Sequence, residues 1–422
     1  MRHQVAITGL GVISPLGLDV AGVTDSLREA RSGIRLIRAP PLQREFAAGV
    51  VDARFEDAFT KLELPFMDRC QQMAVLAARQ AVADAGLEAS FAAFGQRAGA
   101  YYGNVHGGCE AGQAWIEQLL LEGRQASRPF TAMAAMSNAG AAQIAIRHQV
   151  LGPVVCNTTA CASSGVAIGD AARAIADGYL DVAIAGGAES ALVAMFVGIF
   201  QGTRAMSAPD PDDVARTCKP FDSRRSGLVM GEGSAFVVLE SAERAHARGA
   251  HIHGYLSGYG ISSDAHHVGM PTTEGQVRCL RAALADASLD PGQVDYVNAH
   301  ATATAGGDVI EAGALREVFG SGPGDAAISS TKSVHGHLLG ATSALELLIT
   351  LVAMNESLLP ASAWLEDPDP RCQLNHVGPR PIPGREINHA VSFSCGFGGT
   401  NVALIVSRNP SQPHSRSQRS QA

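Results

Sequence analysis

Cys161 stands in the run CNTTACASSG, Cys156 to Gly165, between a short β-prone segment and a helix of small residues. A thiol at such a strand-to-helix junction meets free backbone N–H groups and the positive end of the helix dipole, which favour a thiolate nucleophile. A packed core thiol is the other reading, since free cysteine is among the most buried residue types. This stretch alone leaves both open. Three further segments carry groups that could serve a nucleophile. NAHATATAGGD ends a strand at His300 and continues through Thr302 and Thr304 to a Gly306–Gly307 turn; STKSVHGHLLGATSALELL puts Lys332, His335 and His337 in a loop entering a helix. SCGFGGTN surrounds Phe397 with glycines, so that backbone N–H groups can face a ligand. A lone histidine is most often structural and a glycine pair most often makes a turn. Four such segments together fit a site assembled from rigid strand ends.

The elements that must position these groups alternate short β-prone runs with longer alanine-rich helical ones, the pattern of stacked α/β layers. Strands are predicted at 5–9, 98–103, 154–158, 182–187, 235–240, 294–299, 327–330, 391–393 and 402–407, and helices at 69–85, 164–177, 274–287 and 341–355. ARQAVADAGLEAS (Ala78 to Ser90) and LRAALADASLDPG (Leu280 to Gly292) align without a gap, which points to a duplicated α/β unit. The boundary falls between Glu240 and Gly254, giving halves 1–250 and 251–407 that share one core. Residues 408–422 are polar, contain proline and serine, and have no apolar face to bury, so they read as a disordered tail.

Composition narrows the function classes. Of 422 residues, 46% are hydrophobic and 17% charged, and 46 are glycine, as expected of a large globular protein. The net charge of -8 argues against a nucleic-acid surface. The chain enters a strand without an export signal, and no apolar run suggests a membrane span, so the expectation is a cytoplasmic protein. The eight cysteines show no C-x-x-C spacing, and the cysteines and histidines form no compact metal-ligand set.

The series VAITGLGVISPLG, TACASSG, KPFDSRRSGLVMGEG, NAHATAT, STKSVHGHLLGA and CGFGGTNVALIV, in this order, resembles the β-ketoacyl-acyl-carrier-protein synthases, condensing enzymes of the thiolase superfamily, over about Val5 to Ser407. The resemblance implies a thiolase-like duplicated fold with a five-layered α-β-α-β-α core, and a dimer. It makes Cys161 the acyl-accepting nucleophile and His300 and His337 its catalytic partners. The Cys161 and Phe397 N–H groups become the oxyanion hole, Lys332 and Glu346 a buried supporting pair, Thr302 and Thr304 the phosphopantetheine contacts, and Phe397 an acyl gate. No cofactor or metal is implied. The partner is an acyl carrier protein, with a homodimer expected and a heterodimer with a cysteine-lacking subunit as the alternative.

The implied reaction is decarboxylative Claisen condensation of an acyl-enzyme thioester with a malonyl carrier. Fatty-acid elongation leads; a specialised polyketide or aryl-polyene ketosynthase with a chain-length factor is the alternative. A thiolase-like use of Cys395 and a non-enzymatic partner role rank below both, the latter because Cys161, His300 and His337 are all retained. No G-x-S-x-G elbow suggests a serine hydrolase. Three departures stand out. HATAT replaces the usual HGTST, with Ala301 losing the freedom of glycine and Ala303 a hydroxyl. Ser226 replaces an aspartate, removing an ion-pair partner for Arg225. His335 stands where relatives carry threonine, and a structural place is expected for it. Residues 107–120 and 130–143 are expected to contribute to the acyl pocket and a dimer contact.

Overall fold

The computed structural model describes residues 2–410, so the predicted tail lies almost wholly outside them. Ten strands share one hydrogen-bonded sheet. In chain order they are β1 (Val5–Ile13), β2 (Ala98–Gly103), β3 (Val154–Asn157), β4 (Val182–Glu189), β5 (Gly233–Ser241), β6 (Gly254–Ser263), β7 (Tyr296–Asn298), β8 (Ala327–Ser329), β9 (His389–Cys395) and β10 (Thr400–Ser407). Their spatial order is β8-β7-β9-β10-β6-β1-β5-β4-β2-β3. Reading outward from the central β1–β6 pair, each half runs first, fifth, fourth, second, third. The duplicated unit is therefore written into the strand order.

The helices complete the layers. Here α1 (Arg69–Asp84) packs outside the N-terminal half-sheet, and α4 (Thr273–Ala287) with α5 (Gly307–Phe319) outside the C-terminal one. Between the half-sheets lie α3 (Ser163–Ala176) and α6 (Thr342–Glu356), each packed on strands of both halves and on each other, while α2 (Cys109–Glu122) lies outside these layers. The result is the five-layered α-β-α-β-α core. The repeated helices α1 and α4 cross the first strand of their half in the same way. A Cβ on Gly9 would come within 2.0 Å of the Ala81 carbonyl, and one on Gly258 within 2.4 Å of that of Ala283. Gly11 and Gly260 repeat this against Ala77 and Cys279. Ala81 and Ala283 are equivalent in the two aligned runs, so the sequence echo marks helices that approach a strand backbone too closely for any side chain between them.

Two expectations need correction. β6 is missing from the predicted strands, although the boundary run ending at Gly254 leads into it; its Gly258 and Gly260 are where α4 docks. Nor is the chain free of an apolar run of spanning length: among the described residues, Leu339–Glu356 is long and apolar enough, by length and composition, to cross a bilayer. In the fold, 89% of that stretch is buried and Glu346 sits within it, ion-paired, so it is the central core helix.

Candidate active site

The strand-to-helix junctions at the third position of each half bring the reactive groups together. In the N-terminal half, β3 leads through Ala160, held at a left-handed φ of 52°, to Cys161 just before α3. In the C-terminal half, β8 leads through Lys332 and His337 to α6. Cys161 Sγ and His337 Nε2 are 2.9 Å apart, and the Ser343 hydroxyl donates to the Cys161 carbonyl at 2.9 Å. His337 Nδ1 lies 3.0 Å from the Thr342 hydroxyl. A hydroxyl can donate or accept, so Thr342 accommodates either imidazole tautomer. His300, just beyond β7, stands edge-on to His337 with ring centroids 5.3 Å apart. Its backbone N–H donates to Glu311 Oε1 at 2.7 Å, which fixes the loop, and its Nδ1 is buried without a hydrogen-bond partner.

Electrostatics modify the expected thiolate. Burial pushes the Cys161 thiol up to about 12, outweighing Lys332 and the N–H groups of Phe397 and Cys161, which hydrogen-bond the sulfur. The thiol is neutral in the free protein, so the junction orients the sulfur without ionising it. Burial, reinforced by Lys332, holds both His300 and His337 well below the usual histidine range, so both rings are neutral. The two N–H groups that meet the Cys161 sulfur, those of Phe397 and Cys161, are the ones the family resemblance names for an oxyanion hole.

Lys332 and Glu346 form a fully buried pair at 2.5 Å, and burial raises Glu346 to about 7 despite that lysine. Thr302 and Thr304, whose hydroxyls are 3.3 Å apart, line the same cavity of about 560 Å³ as Cys161, His300, His337 and Phe397. Phe397 is 47% exposed and flanked by Gly398 and Gly399 at φ of 89° and 84°, a loop able to swing the ring. Cys395 also lines the cavity, and burial pushes its thiol far above the ordinary value. Among the described residues no group of three or more His, Cys, Asp or Glu is placed to hold a metal.

The departures resolve physically. Ala301 is not among the residues with left-handed backbone, so it needs no glycine, whereas Ala303 takes a φ of 64° and packs in a buried cluster with Cys218 and Val229. Without an aspartate at 226, Arg225 pairs with Asp369 at 2.8 Å, and the same guanidinium donates to the Thr304 and Ala305 carbonyls at 3.1 and 2.8 Å. Ser226 instead meets the Ser207 hydroxyl at 2.6 Å. His335 is fully buried, 3.0 Å from the Thr331 hydroxyl and outside the cavity wall. None of residues 107–120 or 130–143 lines the cavity; Cys109, Ala134 and Ala141 are buried, whereas Leu119, Leu120, Met133 and Met136 are exposed.

Sequence reasoning passed over Glu311 and Asp308. Both line the cavity, and burial raises them to about 8 and about 6. Their one signal was position, on the first turns of the helix that follows HATATAGG.

Residues 2–245 match the β-ketoacyl synthase N-terminal domain and residues 253–366 the β-ketoacyl synthase C-terminal domain. The chain belongs to the β-ketoacyl synthase family. Within it, the chain is 36% identical to 3-oxoacyl-[acyl-carrier-protein] synthase 2 of Staphylococcus aureus over 96% of its length and 99% of that protein. It is 38% identical to nodulation protein E of Rhizobium meliloti over the same shares. Among solved structures, the ishigamide ketosynthase/chain length factor superposes with a TM-score of 0.89 at 32% identity, covering 97% of this chain and 100% of that one. A β-ketoacyl synthase from Burkholderia phymatum STM815 does so with 0.89 at 33% identity and the same coverage. The thiolase-like fold of these synthases is the fold seen here.

Proposed function

We propose that the protein is a β-ketoacyl-acyl-carrier-protein synthase that extends a Cys161-bound acyl group by two carbons from a malonyl carrier. The observation that carries this reading is the Cys161 Sγ–His337 Nε2 approach of 2.9 Å on the wall of a cavity shared with His300. Cys161 sulfur attacks the carrier thioester, forming the acyl–sulfur bond and expelling the phosphopantetheine thiolate. Because the thiol does not ionise on its own, its proton leaves as the sulfur attacks, through His337 Nε2 to the departing thiolate. The acyl oxygen rests against the Cys161 and Phe397 N–H groups.

A malonyl carrier then enters past Thr302 and Thr304. Its carboxylate carbon–carbon bond breaks, releasing carbon dioxide and leaving an enolate whose oxygen the neutral His300 and His337 stabilise by hydrogen bonds. Enolate carbon attacks the acyl carbonyl, and collapse of the adduct expels Cys161 thiolate, which takes up a proton from solvent. Lys332 and Glu346 act from outside the cavity by holding the His337 loop and its potential. Arg225 ties the Thr304–Ala305 backbone to Asp369.

The proposed partners are an acyl carrier protein and a second copy of the chain. Supporting the latter, β3 is a sheet edge with no β-bridge on its outer side among the described residues, and Leu120, Leu121, Ile146, Leu151 and Val154 nearby in sequence are exposed. The opposite edge is closed, since Ile328 of β8 bonds Asn375 and Val377. Incubation with an acyl carrier and a malonyl carrier, followed by intact-protein mass spectrometry, should show acyl-Cys161 and then a β-ketoacyl carrier two carbons longer. Consumption of the malonyl carrier with no such product would overturn the reading.

A further inference from the structure

One polar side chain on the cavity wall has no part in the proposed reaction and no partner for its oxygen. Gln276 lines the same cavity as Cys161, His300, Thr302 and Thr304, is 1% exposed, and its buried Oε1 has no hydrogen-bond partner. Its place is set by the first turn of α4. There the Thr272 hydroxyl accepts the Gly275 N–H at 3.1 Å and caps the helix. The Ser262 hydroxyl of β6 donates to the Gly275 carbonyl at 2.7 Å, and the Thr273 hydroxyl donates to the Ile310 carbonyl of α5 at 3.3 Å. Ile310 and Glu311 bring α5 to the same wall. The turn that carries Gln276 is thus tied to two other elements, and the carboxamide is held at the cavity.

A buried acceptor without a donor is costly, and native folds keep few of them. The proposed substrates narrow what can supply the donor. A malonyl carboxylate and the thioester carbonyls only accept hydrogen bonds, and a saturated acyl chain has no polar hydrogen. On the phosphopantetheine arm, the polar hydrogen nearest the reacting carbons is the N–H of the amide closest to sulfur. The threonine pair leaves that N–H free: the Thr302 hydroxyl donates to Thr304 Oγ1 at 3.3 Å, and the Thr304 hydroxyl remains to donate to a carbonyl.

We infer that Gln276 Oε1 accepts the N–H of the phosphopantetheine amide closest to sulfur, and so sets how far the malonyl thioester reaches toward His300 and His337. This rests on the condensing reading above and adds a positioning residue to it. The amide lies outside the bonds that break, so the contact is as strong before decarboxylation as during it. Such uniform binding acts on KM and leaves kcat.

The test loads acyl carrier proteins with malonyl on the natural arm and on an arm in which an ester oxygen replaces that amide nitrogen, and reads carbon dioxide release from each by the full chain. The unsubstituted protein should favour the amide arm in kcat/KM by about fivefold to tenfold, the size of one hydrogen bond. Gln276→Met, which nearly keeps the volume and removes the acceptor, should raise KM for the amide arm, leave kcat, and bring the ratio toward unity; Gln276→Ala should move the ratio in the same way. Partial loss of folded protein lowers kcat on both arms alike and leaves both KM values, so it does not imitate this result. Equal kcat/KM for the two arms in the unsubstituted protein, or a ratio unmoved by the substitutions, would overturn the inference while leaving the condensing reading intact. No carbon dioxide from either arm would overturn both.

Discussion

The two halves of the sheet share a strand order and differ in what hangs from it. At the third-strand junction the N-terminal half supplies a nucleophile and a small-residue helix, whereas the C-terminal half supplies a lysine, two histidines and a helix carrying the glutamate that pairs with that lysine. Past the second strand, the N-terminal half places His106 against Phe196 and Phe200, and the C-terminal half places His300 beside the sulfur. Between fourth and fifth strands, the N-terminal half makes the long excursion Ser190–Glu232 that contributes Phe200, Ala205 and Leu228 to the cavity; the C-terminal half makes a glycine turn around Phe397. Duplication sets the places, and unequal loops set which side chains fill them; in the proposed reaction the nucleophile comes from one half and the two histidines from the other.

Substitutions can split that division of labour. Cys161→Ala should abolish acyl-enzyme formation yet leave malonyl-carrier decarboxylation, because the C-terminal half is untouched. His300→Ala and His337→Ala should each lower carbon dioxide release by about 10²–10³. Normal release by both histidine variants would break the comparison at its centre. Next in size is the buried pair. Removing one partner by Lys332→Ala or Glu346→Ala should cost about 3–5 kcal/mol in chemical unfolding, and the double variant should cost far less than the sum. Strict additivity would show that the pair is not coupled.

Smaller, but aimed directly at the duplication, are Gly9→Ala and Gly258→Ala. Each forces α1 or α4 off its strand, at about 1–3 kcal/mol, with Gly9 the larger because its added Cβ meets the Ala81 carbonyl at 2.0 Å against 2.4 Å for Gly258 and Ala283. A neutral Gly258→Ala with a severe Gly9→Ala would show that the two dockings are not energetic equivalents.

The smallest effect is one of pH and belongs to the C-terminal half. Glu311 and Glu346 are raised by burial to about 8 and about 7, so each binds its proton more tightly folded than unfolded. Their contribution is intact below the ordinary carboxylate value and is lost as pH rises through the folded values. Unfolding midpoints should therefore decline between about pH 4.5 and 8, and Glu311→Gln should flatten that decline. An equal slope in the variant would remove Glu311 as its source.

How much of this was legible from residues alone follows the physics of each signal. All nine anticipated strands begin or end within two residues of those observed because β-branched runs bounded by turns are local signals. β6 escaped because its two glycines answer to a helix 20 residues onward rather than to their own strand. Cys161, His300 and His337 were found by motif, and the fold brings them into one cavity. The state of the thiol was not legible: helix-start geometry is local, whereas the desolvation that overrides it is the sum of everything packed around the sulfur. The Asp369 partner of Arg225 was not legible for a similar reason, since it lies far along the chain. Glu311 is marked only by its place on the helix after HATATAGG, and it takes tertiary packing to make it a wall of the site.

The central helices have a consequence for how the molecule is made. Because α3 and α6 each rest on strands of both half-sheets, the first half to leave the ribosome has one face of its sheet covered by α3 alone. The mate of α3, the apolar stretch Leu339–Glu356, emerges only after β4 to β8 have been made. Until then the nascent chain presents an uncovered layer with the Cys161 segment on it, and its need for shielding is greatest just before the C-terminal half arrives to close the core.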